Sequence, residues 1–121
     1  MRLLAVPLAA LSLTGLAGAA GAAGVPPFPR LNGNWSHAEI NVTLSKKPHT
    51  LSLDRGKITK VSPTQLTLRR RDGTRVDIPL SASAIVTVDA IPSTIYSLKR
   101  KMTAQTMRID GGPAVRIRAT T

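Results

Sequence analysis

Strict two-residue alternation is the feature that most narrows what this chain can fold into. Leu66 and Leu68 alternate with Gln65, Thr67 and Arg69, and Val76, Ile78 and Leu80 alternate with Arg75, Asp77 and Pro79. Each run has one apolar face, the signature of a half-buried strand. Between them Arg71-Asp72-Gly73 fits a three-residue hairpin loop, Asp72 favouring the turn and Gly73 taking the left-handed position of a bulge. That register sets Leu68 opposite Val76, Leu66 opposite Ile78 and Arg69 opposite Arg75. Like charges directly opposed across a sheet are disfavoured, so either Asp77, diagonal to Arg69, or an external anion is the expected partner. Arg69, Arg70, Arg71 and Arg75 are therefore a candidate anion-binding patch. A solvated, aggregation-resistant hairpin tip is the plainer reading.

The same alternation recurs on both sides of this hairpin. Ala38-Glu39-Ile40-Asn41-Val42-Thr43-Leu44-Ser45 reads as a strand, Lys46-Lys47-Pro48 as a turn, and Thr50-Leu51-Ser52-Leu53-Asp54 as the second strand of an earlier hairpin. Arg55-Gly56 interrupts the pattern. Ile58 and Val61 then break period two, which predicts a bulge near Thr59-Lys60 of the kind small barrels use at corners. Ser62-Pro63-Thr64 turns into the central hairpin. After Leu80, Ser81-Ala82-Ser83 is a polar break before a strand over Ala84–Asp89. Ser93 is placed to cap a short helix near 93–101, with Ile95, Leu98 and Met102 on one side. Lys99, Arg100 and Lys101 fall in its last turn, where cations favourably oppose the helix dipole. They are the second candidate polyanion-binding cluster. Thr103–Ile109 and Val115–Ala119 close the chain as a strand pair around Asp110-Gly111-Gly112-Pro113. The fold class implied is all-β and mainly antiparallel, a small barrel or strongly curled sheet of six to seven strands with that one short helix.

Ahead of the domain the pattern changes. Met1-Arg2, the apolar run Leu3–Leu13 and the small-residue stretch Ala17–Gly24 make a secretory signal peptide over residues 1–22, with cleavage near Ala19 or Ala22. The run is shorter than the ~20 residues a transmembrane helix needs, and no second run exists, so no integral span is expected after cleavage. An uncleaved amino-terminal anchor is the alternative. The chain is thus expected to be exported, either secreted or held in the periplasm or cell envelope. Residues 23–37 read as a linker built on Val25-Pro26-Pro27-Phe28-Pro29, extended because each proline restrains its neighbour. Trp35, at its end, either packs over the domain rim or stands exposed. Residues 38–121 form the domain.

Cysteine is absent, so a chain of about 95 residues must be held by its hydrophobic core alone. With Phe28, Trp35 and Tyr96 the only aromatics, that core is aliphatic. Loss of Arg2 with the leader takes the formal net charge from +11 to +10. Such a bias favours anionic partners: nucleic acid, anionic envelope polymers or lipid headgroups. Nucleic acid is the weaker of these, because single-strand binding on small barrels adds aromatic stacking platforms. No cofactor or metal site is expected, since His37, His49 and six scattered acids lack ligand spacing. No nucleophile motif, phosphate loop or paired-carboxylate arrangement points to an enzyme.

The order Gly56-Lys57-Ile58, Leu66-Thr67-Leu68, Asp72-Gly73-Thr74, Val86-Thr87-Val88-Asp89, Leu98 to Ala104 and Gly111-Gly112 resembles small exported bacterial β-barrel domains of unknown function. The resemblance spans about residues 38–119 and implies a fold and a compartment, with no catalytic residues. Two positions depart from it: Ala90 stands where a glycine commonly follows Val-Asp, and Lys101 where a glycine commonly precedes the methionine. Two functions follow as expectations. One is a non-catalytic basic module binding an anionic envelope polymer or other polyanion. The other is a structural or accessory envelope protein acting through protein–protein contacts.

Overall fold

A computed structural model describes residues 24–121. The leader expected over residues 1–22 lies outside the described residues. Phe28–Ile40 and Thr50–Thr121 form one compact unit, while Asn41–His49 belongs to a second.

Seven strands occur among the described residues: β1 (His37–Leu44), β2 (Lys47–Val61), β3 (Gln65–Arg69), β4 (Arg75–Val88), β5 (Ile91–Ser93), β6 (Thr103–Ile109) and β7 (Ala114–Thr120). The sheet order is β1-β2-β3-β4-β7-β6, and a further β2–β6 pairing closes β2, β3, β4, β7 and β6 into a five-stranded barrel. β1 and β5 are additions, paired to β2 and β4. Four of the barrel's five pairings are antiparallel and the β4–β7 pairing is parallel. This circular order is that of the OB-type Greek-key barrel.

The central hairpin takes the register its alternation demands, with Leu66 opposite Ile78, Leu68 opposite Val76 and Arg69 opposite Arg75. Leu66, Leu68 and Ile78 are fully buried. A one-residue slip would expose all of them, at about 1.5–3 kcal/mol per side chain. The core they enter also holds Ile58, Leu80, Val86, Leu98, Met102 and Ile117, with alanines from β6 and β7. It is aliphatic as composition requires; Phe28 and Trp35 are half-buried and Tyr96 is exposed.

Several local expectations are corrected. The first hairpin turns at Ser45-Lys46, both at positive φ, and Lys47 and Pro48 already belong to β2. β2 runs unbroken through Arg55-Gly56, and its irregularity falls between Ile58 and Lys60 where the broken periodicity placed it. β4 likewise runs through Ser81-Ala82-Ser83; the register shift against β7 between Leu80 and Ile85 absorbs that polar stretch. The short helix near 93–101 is a single 3-10 turn, Ile95–Ser97, and Leu98 is already extended. Ser93 does not cap it; its hydroxyl donates to the Ile91 carbonyl. Leu98 and Met102 nevertheless enter the core with Ile95 packed against it, so the apolar spacing marked the correct residues and the wrong local path. Ala90 and Lys101, the two positions where glycine was expected, adopt φ of 68° and 77°. A left-handed conformation costs an L-residue roughly 1–2 kcal/mol, so both turns keep a glycine-like geometry under strain.

Candidate functional site

The site forms where β2 changes neighbours. Along Leu51–Lys57 β2 pairs with β6, and from Lys57 to Val61 it pairs with β3. Gly56 makes the exchange sterically possible, because a Cβ there would stand 2.6 Å from the Arg69 carbonyl oxygen. Only a bare backbone lets the end of β3 approach so closely. At the next residue a lateral row is set up: Thr103 opposite Lys57, Lys57 opposite Arg69, and Arg69 opposite Arg75. Directly opposed residues point to the same side of a sheet, and neighbouring strands lie about 4.8 Å apart, so three cations span roughly 10 Å. All three are exposed.

No carboxylate neutralises this row. Asp77, the expected partner of Arg69, instead accepts a 2.7 Å hydrogen bond from the Thr67 hydroxyl directly across the ladder. Among the described residues Lys57, Arg69 and Arg75 take part in no ion pair. Each directly opposed like-charge pair is destabilising by about 0.2–1 kcal/mol. Burial of the leucines and isoleucine on the inner face outweighs that several-fold, which is why the register holds despite it.

A groove of about 610 Å³ opens beside the row, lined by Trp35, Lys57, Arg69, Arg71 and Thr103 among others. Arg75 continues the row outside it. Trp35 is held in place by Arg55, whose guanidinium lies 4.5 Å from the indole centroid. The same guanidinium donates to the carbonyls of Trp35 at 3.0 Å and Gly33 at 3.1 Å. Arg70 faces the groove as well, but it is committed to Asp54, with a 2.7 Å contact to a carboxylate only 4% exposed. His37 approaches the same Asp54 oxygen at 2.9 Å through Nδ1 and Glu39 at 3.3 Å through Nε2. This chain of polar contacts ties β1, β2 and the base of the hairpin loop together, and its Arg70–Asp54 ion pair removes Arg70 from the cations free to meet a ligand.

The loop itself is internally braced. The Arg70 N–H donates to the Thr74 carbonyl and the Gly73 N–H to the Arg70 carbonyl, with Gly73 at φ 89°. Asp72 accepts from the Thr74 hydroxyl at 2.6 Å and the Thr74 N–H at 2.9 Å. Those bonds, with the nearby positive charge of Arg70, hold the Asp72 carboxyl below the ordinary aspartate range. It stays charged within a basic tip.

The second basic cluster is differently placed. Lys99, Arg100 and Lys101 lie after the 3-10 turn and not in the last turn of a helix. The Lys101 N–H donates to the Ile58 carbonyl, so its backbone is structural while its side chain is exposed. Lys99 lines a shallow groove with Val88, Ile91, Tyr96 and Met102, separate from the one beside Trp35. Of the seven basic residues singled out from sequence, Arg69, Arg70 and Arg71 meet in one groove and Arg75 adjoins it. Lys57, Trp35, Asn34, Gly56 and Arg55 were not assigned to it. The signal for Lys57 was its place in a strand that a β2–β3 pairing sets against Arg69, and only the bulged register fixes that pairing.

No group of three or more potential ligands able to hold a metal ion occurs among the described residues, and no described helix is long and apolar enough to cross a membrane. Comparison of the chain with protein-family models, with curated proteins and with solved structures finds no match.

Proposed function

We propose that this protein is an exported, non-catalytic binding module that holds an anionic polymer of the cell envelope against the β2–β3–β4 face. The observation that carries this reading is the uncompensated row Lys57, Arg69 and Arg75, with Arg71 beside it at a groove. An exported chain works next to surface polymers rich in phosphate, sulfate or carboxylate, and the net charge of +10 left once Arg2 is lost from the +11 of the full chain concentrates such polymers near it. The OB-type strand order is host to many unrelated functions, so the reading rests on the row and not on the fold. Binding of this kind is mainly Coulombic and weakens steeply with salt.

Retention of the purified protein on heparin, DNA and a teichoic-acid-like polymer, compared with a plain cation exchanger at increasing salt, tests it. Elution from one polymer at distinctly higher salt than from the exchanger is the expected result. Equal elution from every matrix would leave only generic charge and overturn the proposal.

One observation favours the accessory reading. Ile91 on the short β5 is 65% exposed and Tyr96 is 77% exposed, and both line the second groove. A protein contact made there survives salt that releases a charge-bound polymer, so salt-resistant co-purification lost in the double variant I91S/Y96S would favour it.

A further inference from the structure

The charge row alone accepts any polyanion; what flanks it is more selective. Trp35 is half-buried and pinned by Arg55, so its indole is a preorganised wall and costs little further ordering when a ligand arrives. Asn34 and Thr103, an amide and a hydroxyl, line the same groove as the cations. That combination offers an apolar surface, neutral hydrogen-bonding groups and positive charge within one small opening.

We propose that the groove binds an acidic oligosaccharide, with one sugar ring laid against Trp35 and its anionic substituents on Lys57, Arg69 and Arg71. This rests on the polyanion reading above and names the ligand. A pyranose presents an apolar C–H face to an aromatic ring and hydroxyls around its rim, which suits an indole flanked by Asn34 and Thr103. Linear polyphosphate has neither feature. Single-stranded nucleic acid stacks successive bases on several aromatic platforms, and this groove is lined by a single aromatic residue. The chain's other aromatics lie elsewhere: Tyr96 lines the second groove, and Phe28 lies 5.0 Å from the Arg118 guanidinium. The anion on the sugar is sulfate, phosphate or carboxylate, all of which arginine forks and lysine ammonium groups receive.

Trp35 is the chain's only tryptophan, so its emission reports on this groove directly. The protein is titrated at low and at high salt with four probes of matched charge: a sulfated heparin-derived oligosaccharide, an oligogalacturonate, linear polyphosphate and an oligothymidylate. Either glycan is expected to change the emission and to stay measurably bound at salt that releases the other two; which glycan does so identifies the anion. Trp35→Phe, a mild change that keeps a ring for Arg55 to cover, should weaken glycan binding by about threefold to tenfold and leave polyphosphate within about twofold, read by isothermal titration of both proteins because the variant has no tryptophan to report. Polyphosphate or oligothymidylate matching the glycans in emission change and salt resistance would overturn the glycan assignment while leaving the polyanion reading intact. Binding by none of the four would overturn both.

Discussion

Two clusters of three cations give this chain much of its basic character, and they are built in opposite ways. Lys99, Arg100 and Lys101 are consecutive, and their proximity is only that of neighbours along a turn. Lys57, Arg69 and Arg75 are scattered along the sequence, and cross-strand pairing brings them into one row. The consecutive cluster is the easier to see, yet only Lys99 of it lines a described groove, and that groove holds the exposed apolar residues Ile91 and Tyr96. The scattered cluster is harder to see and adjoins a groove with an aromatic wall. Charge density along a chain does not report charge convergence in space; strand register does.

The largest test of this difference is charge reversal of each cluster in turn. K57E/R69E/R75E should lower polyanion affinity by on the order of 100-fold, since six units of charge change at one face, whereas K99E/R100E/K101E should cost several-fold less, since none of those three residues lines the groove beside Trp35 and their charge acts on a ligand there only through screened solvent. Isothermal titration against one polymer would measure both, and equal losses would erase the distinction. Gly56→Ala acts on the row through the backbone. The added Cβ cannot coexist with the Arg69 carbonyl at 2.6 Å, so thermal melting should show a loss of about 2–3 kcal/mol, the usual cost of overpacking.

Smaller effects separate the clusters by sign. Lys101→Gly relieves the left-handed backbone at φ 77° and should stabilise the protein by about 0.5–1 kcal/mol after the greater unfolded-state entropy of glycine is allowed for. For a domain of this size that raises Tm by roughly 3–6 °C. Polymer affinity should hardly change, although a cation has been removed. Arg69→Thr should also stabilise, by a few tenths of a kcal/mol, because it ends the repulsion from both Lys57 and Arg75 while keeping a good strand residue. Here affinity should fall. A more stable protein with weaker binding is the behaviour of a site maintained at a cost to the fold; a less stable one would mean the row is not strained.

Much of the barrel was legible because period-two patterning is a local property. Leu66, Leu68, Val76 and Ile78 carry the central register, Gly73 its loop, and Asp110-Gly111 the last turn, both at positive φ. The polar or glycine-containing stretches Arg55-Gly56 and Ser81-Ala82-Ser83 were misread as strand ends because a break in patterning looks alike whether a strand stops or changes partner. The helix near Ser93 failed for a related reason: three-and-four spacing of Ile95, Leu98 and Met102 records which residues are buried, and an irregular path buries them equally well.

The site was legible only in part. Arg69, Arg70, Arg71 and Arg75 were visible as a charge run, but nothing local distinguishes Arg70, which is consumed by Asp54, from Arg69, which is not. Asp54 lies sixteen residues before Arg70, and the ion pair exists because the barrel folds β2 beneath the hairpin base.

From its own residues, then, the chain determines an all-β class, an aliphatic core without disulfides, the central hairpin with its register, and a strongly basic surface, because alternation, turn chemistry and net charge act over a few residues or over the whole composition. Tertiary structure alone decides that β4 and β7 pair in parallel, that β2 and β6 close the barrel, and that Gly56 admits the end of β3. Those are contacts between segments far apart in sequence, set by how the apolar faces share one core, and they bring Lys57 and Trp35 to the arginines of the hairpin.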